Sequence, residues 1–165
     1  MLQSEIFKHL EATPVATAIR ESTWLFPTIE TLHVLAIVLV VGTIMIVDLR
    51  LINVASRRRP VSELMNEVLP WTWMAFIFAA ITGFLLFTSS AVKYVHDAPF
   101  VYKMALLLIA GVNMAVFHFG SYRKVALWDR DSLTPTGARI AGGLSLVIWV
   151  TVVALGRWIG FTIPV

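Results

Sequence analysis

Residues 25–47 read LFPTIETLHVLAIVLVVGTIMIV, an apolar run whose only ionisable side chains are Glu30 and His33. Such a run meets the requirement of about 20 apolar residues for crossing the hydrocarbon core as an α-helix. Trp24 precedes it, and Pro27 falls in its first turn, where a missing backbone N–H breaks no helical hydrogen bond. Three further runs repeat the pattern at residues 71–92, at 100–120 after Pro99, and at 140–163 before Pro164. The expectation is therefore an all-α fold: one integral membrane domain over residues 1–165, with four transmembrane helices. Short loops make sequential helices antiparallel, so an up-down bundle is predicted.

Composition agrees. Hydrophobic residues make up 58% of the chain and charged residues 14%, where soluble domains carry about a quarter charged. The net charge of +3 comes from basic residues gathered at the ends of apolar runs. They read as topology signals rather than as a nucleic-acid patch. Arg50, Arg57, Arg58 and Arg59 follow the first run, and Arg123, Lys124, Arg130 and Arg139 follow the third. Lys8, Arg20, Lys93, Lys103 and Arg157 are scattered over the other side. This bias puts both dense loops in the cytoplasm of a bacterial inner membrane and both termini outside. Trp71, Trp73 and Trp128 are then expected at the inner interface, and Trp24 and Trp158 at the outer one. Residues 1–21 carry charges throughout and lack the apolar stretch of a cleavable leader. They read as a short interfacial helix with Leu2, Ile6 and Leu10 on one side.

Ionisable groups inside apolar helices are costly and are functional candidates. Here they are Glu30, His33, Lys103 and His118, with His96 and Asp97 in the short loop between the second and third runs. Glu30 and His33 are three residues apart and so lie near one another on the helix surface. Lys103 falls at nearly the depth of Glu30, and a structural Glu30–Lys103 ion pair is the plain reading of those two. His118 lies about 22 Å deeper than Lys103, at about 1.5 Å per residue. His33 and His118 therefore cannot ligate one heme iron together. His96 is a candidate partner for His33, and Met45 and Met74 lie near the level of His118. Both His/His and His/Met are established axial pairs. Gly42 and Gly111 would leave room for a flat macrocycle. Against this, a histidine in a membrane helix is often only a hydrogen-bonded packing residue, and methionine is common in apolar helices. Ala79-x-x-x-Gly83 and Gly111-x-x-x-Ala115 have the spacing of close helix contacts.

One pattern goes further. Leu32-His33, Gly42 and Asp48-Leu49-Arg50-Leu51 in the first run, with Lys103 and His118 in the third, resemble small bacterial membrane proteins. The resemblance is to those related to the copper-resistance D domain and to the membrane-bound, heme-containing protoporphyrinogen oxidase. It implies a heme-ligating histidine at His33 and a Lys-then-His later helix. The chain departs from the oxidase type at the inner end, with Asp48-Leu49-Arg50 in place of Pro-Arg-Leu, and in a longer Lys-to-His spacing.

Three functions follow as expectations. The first is a b-type heme protein carrying electrons in the inner membrane to a redox partner. The second is a metal (copper or zinc) or proton transport or sensing protein, with His33, His96 and His118 as metal donors beside Glu30 and Asp97. The third is a structural subunit of a membrane complex. No nucleophile–base pair, phosphate loop or hydrolase signature is present, which argues for a carrier or subunit rather than an independent enzyme. The absence of cysteine excludes disulfides, thiolate metal sites and iron–sulfur clusters.

Overall fold

The computed structural model describes residues 2–129 and 133–163; Arg130, Pro164 and the Leu2 side chain fall outside what it describes. Among the described residues the fold is all-helical. Helices α1 (Leu2–Glu11) and α2 (Pro14–Glu21) precede α3 (Leu25–Leu51), α4 (Val61–Ser89), α5 (Ala91–His96), α6 (Ala98–Phe119) and α7 (Thr136–Thr162), with a 3₁₀ segment at Tyr122–Leu127. Helices α3, α4, α6 and α7 are each long and apolar enough to cross a bilayer. The protein is a multi-pass membrane protein. About half of its large apolar side chains are exposed, as lipid-facing helices require.

Sequence explains the boundaries. Thr13 caps α2, and Asp97 caps α6 by accepting from Phe100 N at 3.1 Å, with Pro99 in the first turn. The second spanning helix starts ten residues before Trp71. It runs through Glu63, Glu67 and Pro70, whose charges ended the apolar pattern without ending the helix. That extension buries Val61, Leu64 and Met65, while on its exposed face Arg59 pairs with Glu63 at 2.9 Å and with Glu67 at 2.7 Å.

The spanning helices pack in the order α4, α3, α7, α6, and α4 and α6 make few contacts with each other. His33 of α3 meets Thr82 of α4, and Thr43 meets Thr72. Gly142 of α7 lies under Leu51 of α3, and Asn113 of α6 donates to the Ala141 carbonyl. Where α3 ends, hereafter the Arg50 end, Leu51, Val61, Met65, Phe117, Trp128, Ala138 and Ala141 form one buried cluster. A second cluster sits midway, around Val40, Ala75, Ile148, Trp149 and Val152. At the opposite, Tyr94 end, Phe87, Tyr94 and Phe100 stack together, the Phe87 and Phe100 rings 5.6 Å apart.

Two expectations change here. The N-terminal segment is two helices, and it docks on the Tyr94 end through Phe7 against Phe87 rather than through Ile6, which is exposed. The Glu11 carboxylate caps α5 by accepting from Val92 N at 2.8 Å. Trp128 is buried with its indole N–H on the Ser121 carbonyl, so it closes the core instead of marking an interface.

Candidate functional site

The expected site residues do not come together. His33 is half-buried between α3 and α4. The Thr82 hydroxyl donates to the Phe78 carbonyl at 2.8 Å, so its oxygen accepts from His33 Nδ1–H at 3.0 Å. The imidazole lies over Gly83, where an added Cβ would come within 2.9 Å of the ring. The Ala79-x-x-x-Gly83 spacing is thus a notch that receives a histidine. The other small-residue pair is not a contact: Gly111 has open space where a Cβ would stand.

Lys103 extends along α7, its amine 3.6 Å from the Cβ position of Gly156 and near enough to His33 for its charge to act there. Glu30 is on the exposed side of α3, where its charge acts on Tyr94. No ion pair joins Glu30 to Lys103 among the described residues. A separation of three places Glu30 about 60° around the helix from His33. That is enough to turn it out of the α3–α4 seam. His96 is exposed and its Nδ1 donates to its own Val92 carbonyl at 2.8 Å. His118 points away from the bundle and stacks on Tyr122 with ring centroids 5.0 Å apart. Met45 and Met74 lie on outward faces, and Gly42 faces open space. Among the described residues, no three His, Asp or Glu side chains converge as a metal cage would require.

This geometry does not fit a heme. A heme needs a slot beside an axial histidine, and the cavity enclosed by all four spanning helices has no histidine in its lining. The His33 ring is instead packed over Gly83, with its Nδ1 on Thr82. The described residues therefore do not form a heme pocket around the expected ligands.

What the four helices do enclose is a cavity of about 190 Å³ whose one charged lining residue is Asp48. Asp48 sits on the last turn of α3, 5% exposed, and its Oδ2 is buried without a hydrogen-bond partner. Ser145 of α7 stands opposite as a donor. Thr72 and Asn113 supply the other polar groups, while Trp73, Phe76, Trp149 and Met114 give apolar walls. Two residues on, Arg50 is also buried but richly engaged. It donates to the Arg59 carbonyl at 2.9 Å, to Thr134 Oγ1 at 3.0 Å and to Asn53 Oδ1 at 3.4 Å. Asn53 holds a left-handed backbone at φ 59° that ends α3.

Residues 22–162 match a family of unknown function, DUF6644. The chain belongs to that family. The DUF6644 match starts just after α2 and takes in all four spanning helices, so the cavity and Asp48 lie wholly inside the shared unit. No curated protein and no solved structure matches the chain.

Reading the sequence missed Asp48 as a site. The residue was seen only as part of the Asp48-Leu49-Arg50-Leu51 pattern at a helix end, where charges usually meet water. Its signal was the spacing: Asp48 and Arg50 are about 200° apart on a helix and cannot neutralise one another.

Proposed function

We propose that this protein binds a proton or a small cation in its intramembrane cavity, as a transport or sensing protein of the bacterial inner membrane, with Asp48 as the binding group. The observation that carries the reading is Asp48, a carboxylate that lines the cavity and whose Oδ2 is buried without a partner. A carboxylate oxygen kept from water without a donor is costly, and a ligand bringing a proton or positive charge relieves that cost. Ser145 and Asn113 would orient the ligand, and the aromatic walls suit a cation. The basic loops support an up-down bundle with both termini outside. In that orientation Asp48 lies near the cytoplasmic leaflet.

The donor set argues against copper or zinc, which would ask for several converging imidazoles or carboxylates, and leaves a proton or a singly charged cation. The electron-transfer reading has the heme-fit result against it. A Soret band in the purified protein, lost on His33→Ala, would replace the present reading.

The direct test is infrared difference spectroscopy on the protein in lipid nanodiscs, recorded on pH change and on potassium addition. The expected result is a carboxyl band that responds to one or the other and is absent from Asp48→Asn. If no band is assignable to Asp48 under any of these conditions, the site is inert. A structural subunit is then the better description.

A further inference from the structure

The walls of the cavity differ sharply in how they close. Toward the Arg50 end it is sealed by Leu51, Met65, Phe117 and Ala141, which belong to the buried cluster completed by Trp128. Toward the middle of the bundle it is sealed by Val40 and Trp149. On the α3 and α7 side the helices are in close contact, with Gly142 directly under Leu51 and the Asp48 carbonyl. Between α4 and α6 there is no such seal. These helices meet through the Phe87–Phe100 stack at the Tyr94 end and make few contacts elsewhere. The lining residues on that side, Trp73, Phe76 and Met114, are 45%, 39% and 47% exposed, and Gly111 stands beside them in open space. The cavity therefore opens sideways, toward lipid, and its apolar clusters shut it off from both aqueous faces.

We propose that the cavity takes a bilayer-dissolved amine, with one cationic head and an apolar body, that enters between α4 and α6 and sets its head on Asp48. The inference rests on the preceding reading of Asp48 and adds the ligand class and the route. An inorganic ion would have to cross an apolar seal to arrive, whereas an amphipathic amine is already concentrated where the opening lies. Inside, the head group would meet the Asp48 carboxylate, while the body would lie along Trp73, Phe76 and Met114. A single charged group in a mostly apolar chamber of about 190 Å³ suits a single positive charge on a hydrophobic body.

The test uses the full chain in nanodiscs, with 12-bromododecylamine as probe and 12-bromododecanol as the uncharged control, reading bromine quenching of tryptophan fluorescence. Trp73 and Trp149 line the cavity, so occupancy gives saturable quenching by the amine beyond the background that both probes share by partitioning. Asp48→Asn is expected to weaken the saturable part about tenfold or more, the scale of one charge-assisted hydrogen bond. Gly111→Trp, at a position where an added Cβ meets nothing within 4 Å, places a ring at the opening and is expected to remove the saturable amine quenching. It should retain the infrared response of Asp48 to pH. Met114→Trp serves as a second plug should Gly111→Trp fail to fold. If amine and alcohol quench alike while Asp48 still answers to pH or potassium, the amine proposal is overturned and the Asp48 reading stands. Amine binding that survives both plugs overturns the lateral route. Silence in both quenching and infrared experiments removes the two readings together.

Discussion

Asp48 and Arg50 are two residues apart on one helix, equally withdrawn from water, and opposite in circumstance. Arg50 is 1% exposed and ties α3 to the Arg59 carbonyl, Asn53 and Thr134. Asp48 is 5% exposed and leaves a carboxylate oxygen unused at the wall of a cavity. Burial alone does not distinguish a structural charge from a functional one. The accounting of hydrogen-bond partners does, because an engaged buried group stabilises the fold while an unengaged one costs stability that only a ligand recovers.

The largest expected effect breaks the structural member. Arg50→Met leaves the Arg59 carbonyl without its donor and takes one hydrogen bond each from Asn53 and Thr134, which keep the bond between them. At about 1–3 kcal/mol for a stranded buried group and about 1 kcal/mol for each further bond lost, the loss is expected to reach roughly 3 kcal/mol. Reversible unfolding in detergent measures it, and a loss under about 1 kcal/mol would mean that the network is decorative. Next comes Gly142→Val, which presses on the Leu51 Cβ at 2.9 Å and the Asp48 carbonyl at 3.3 Å. Overpacking of this kind costs about 1–3 kcal/mol. Since it moves α7 off Asp48, it should disturb the infrared band of that carboxyl as well. Asp48→Asn is expected to change unfolding by less than about 1 kcal/mol, or to stabilise, because it relieves a buried charge whose Oδ2 has no donor. A strong destabilisation would make Asp48 a second Arg50 and dissolve the contrast. Glu30→Ala and Lys103→Ala should be small and additive, since no ion pair couples them; a coupling above about 0.5 kcal/mol in the double mutant would restore the pair. Smallest is a titration. Burial first, then the charges of Glu30 and Asp97, hold the Tyr94 phenol above the ordinary tyrosine range. Its neutral form is the one the fold favours, so this contribution is full below the unfolded tyrosine value and is lost as pH rises through the folded one. Tyr94→Phe should remove a late step from the phenolate absorbance titration.

How much was legible follows from what lipid demands. The four spans were readable because a bilayer asks only for length and apolarity, and three of the four were placed to within a few residues at both ends. The start of α4 was not, since Glu63 and Glu67 signal the end of hydrophobicity and not the end of the helix. The site was harder. His118 looked interior because it was ionisable and deep, yet its rotational position on the last turn of α6 turns it outward. Glu30 and Lys103 shared a depth but not a face. Asp48 looked peripheral because its neighbours in sequence were basic and loop-bound. Depth follows from counting residues, but rotation about the helix axis follows only from which neighbour each face meets. In helices that are apolar all round, no amphipathic stripe announces that face.

The His33 ring seated over Gly83 has a consequence for assembly. Helices that insert separately into a bilayer must afterwards find their mutual offset, and apolar side chains against lipid-like neighbours offer little to choose between one offset and the next. A slide of one turn along α4 would set the imidazole over Ala79 or over Phe87, each of which carries a side chain where the ring lies, and would part Nδ1 from the Thr82 hydroxyl. Gly83 is thus the one berth on that stretch of α4 that accepts the ring. A residue that first suggests metal chemistry serves as the key that sets where two neighbouring helices stop sliding.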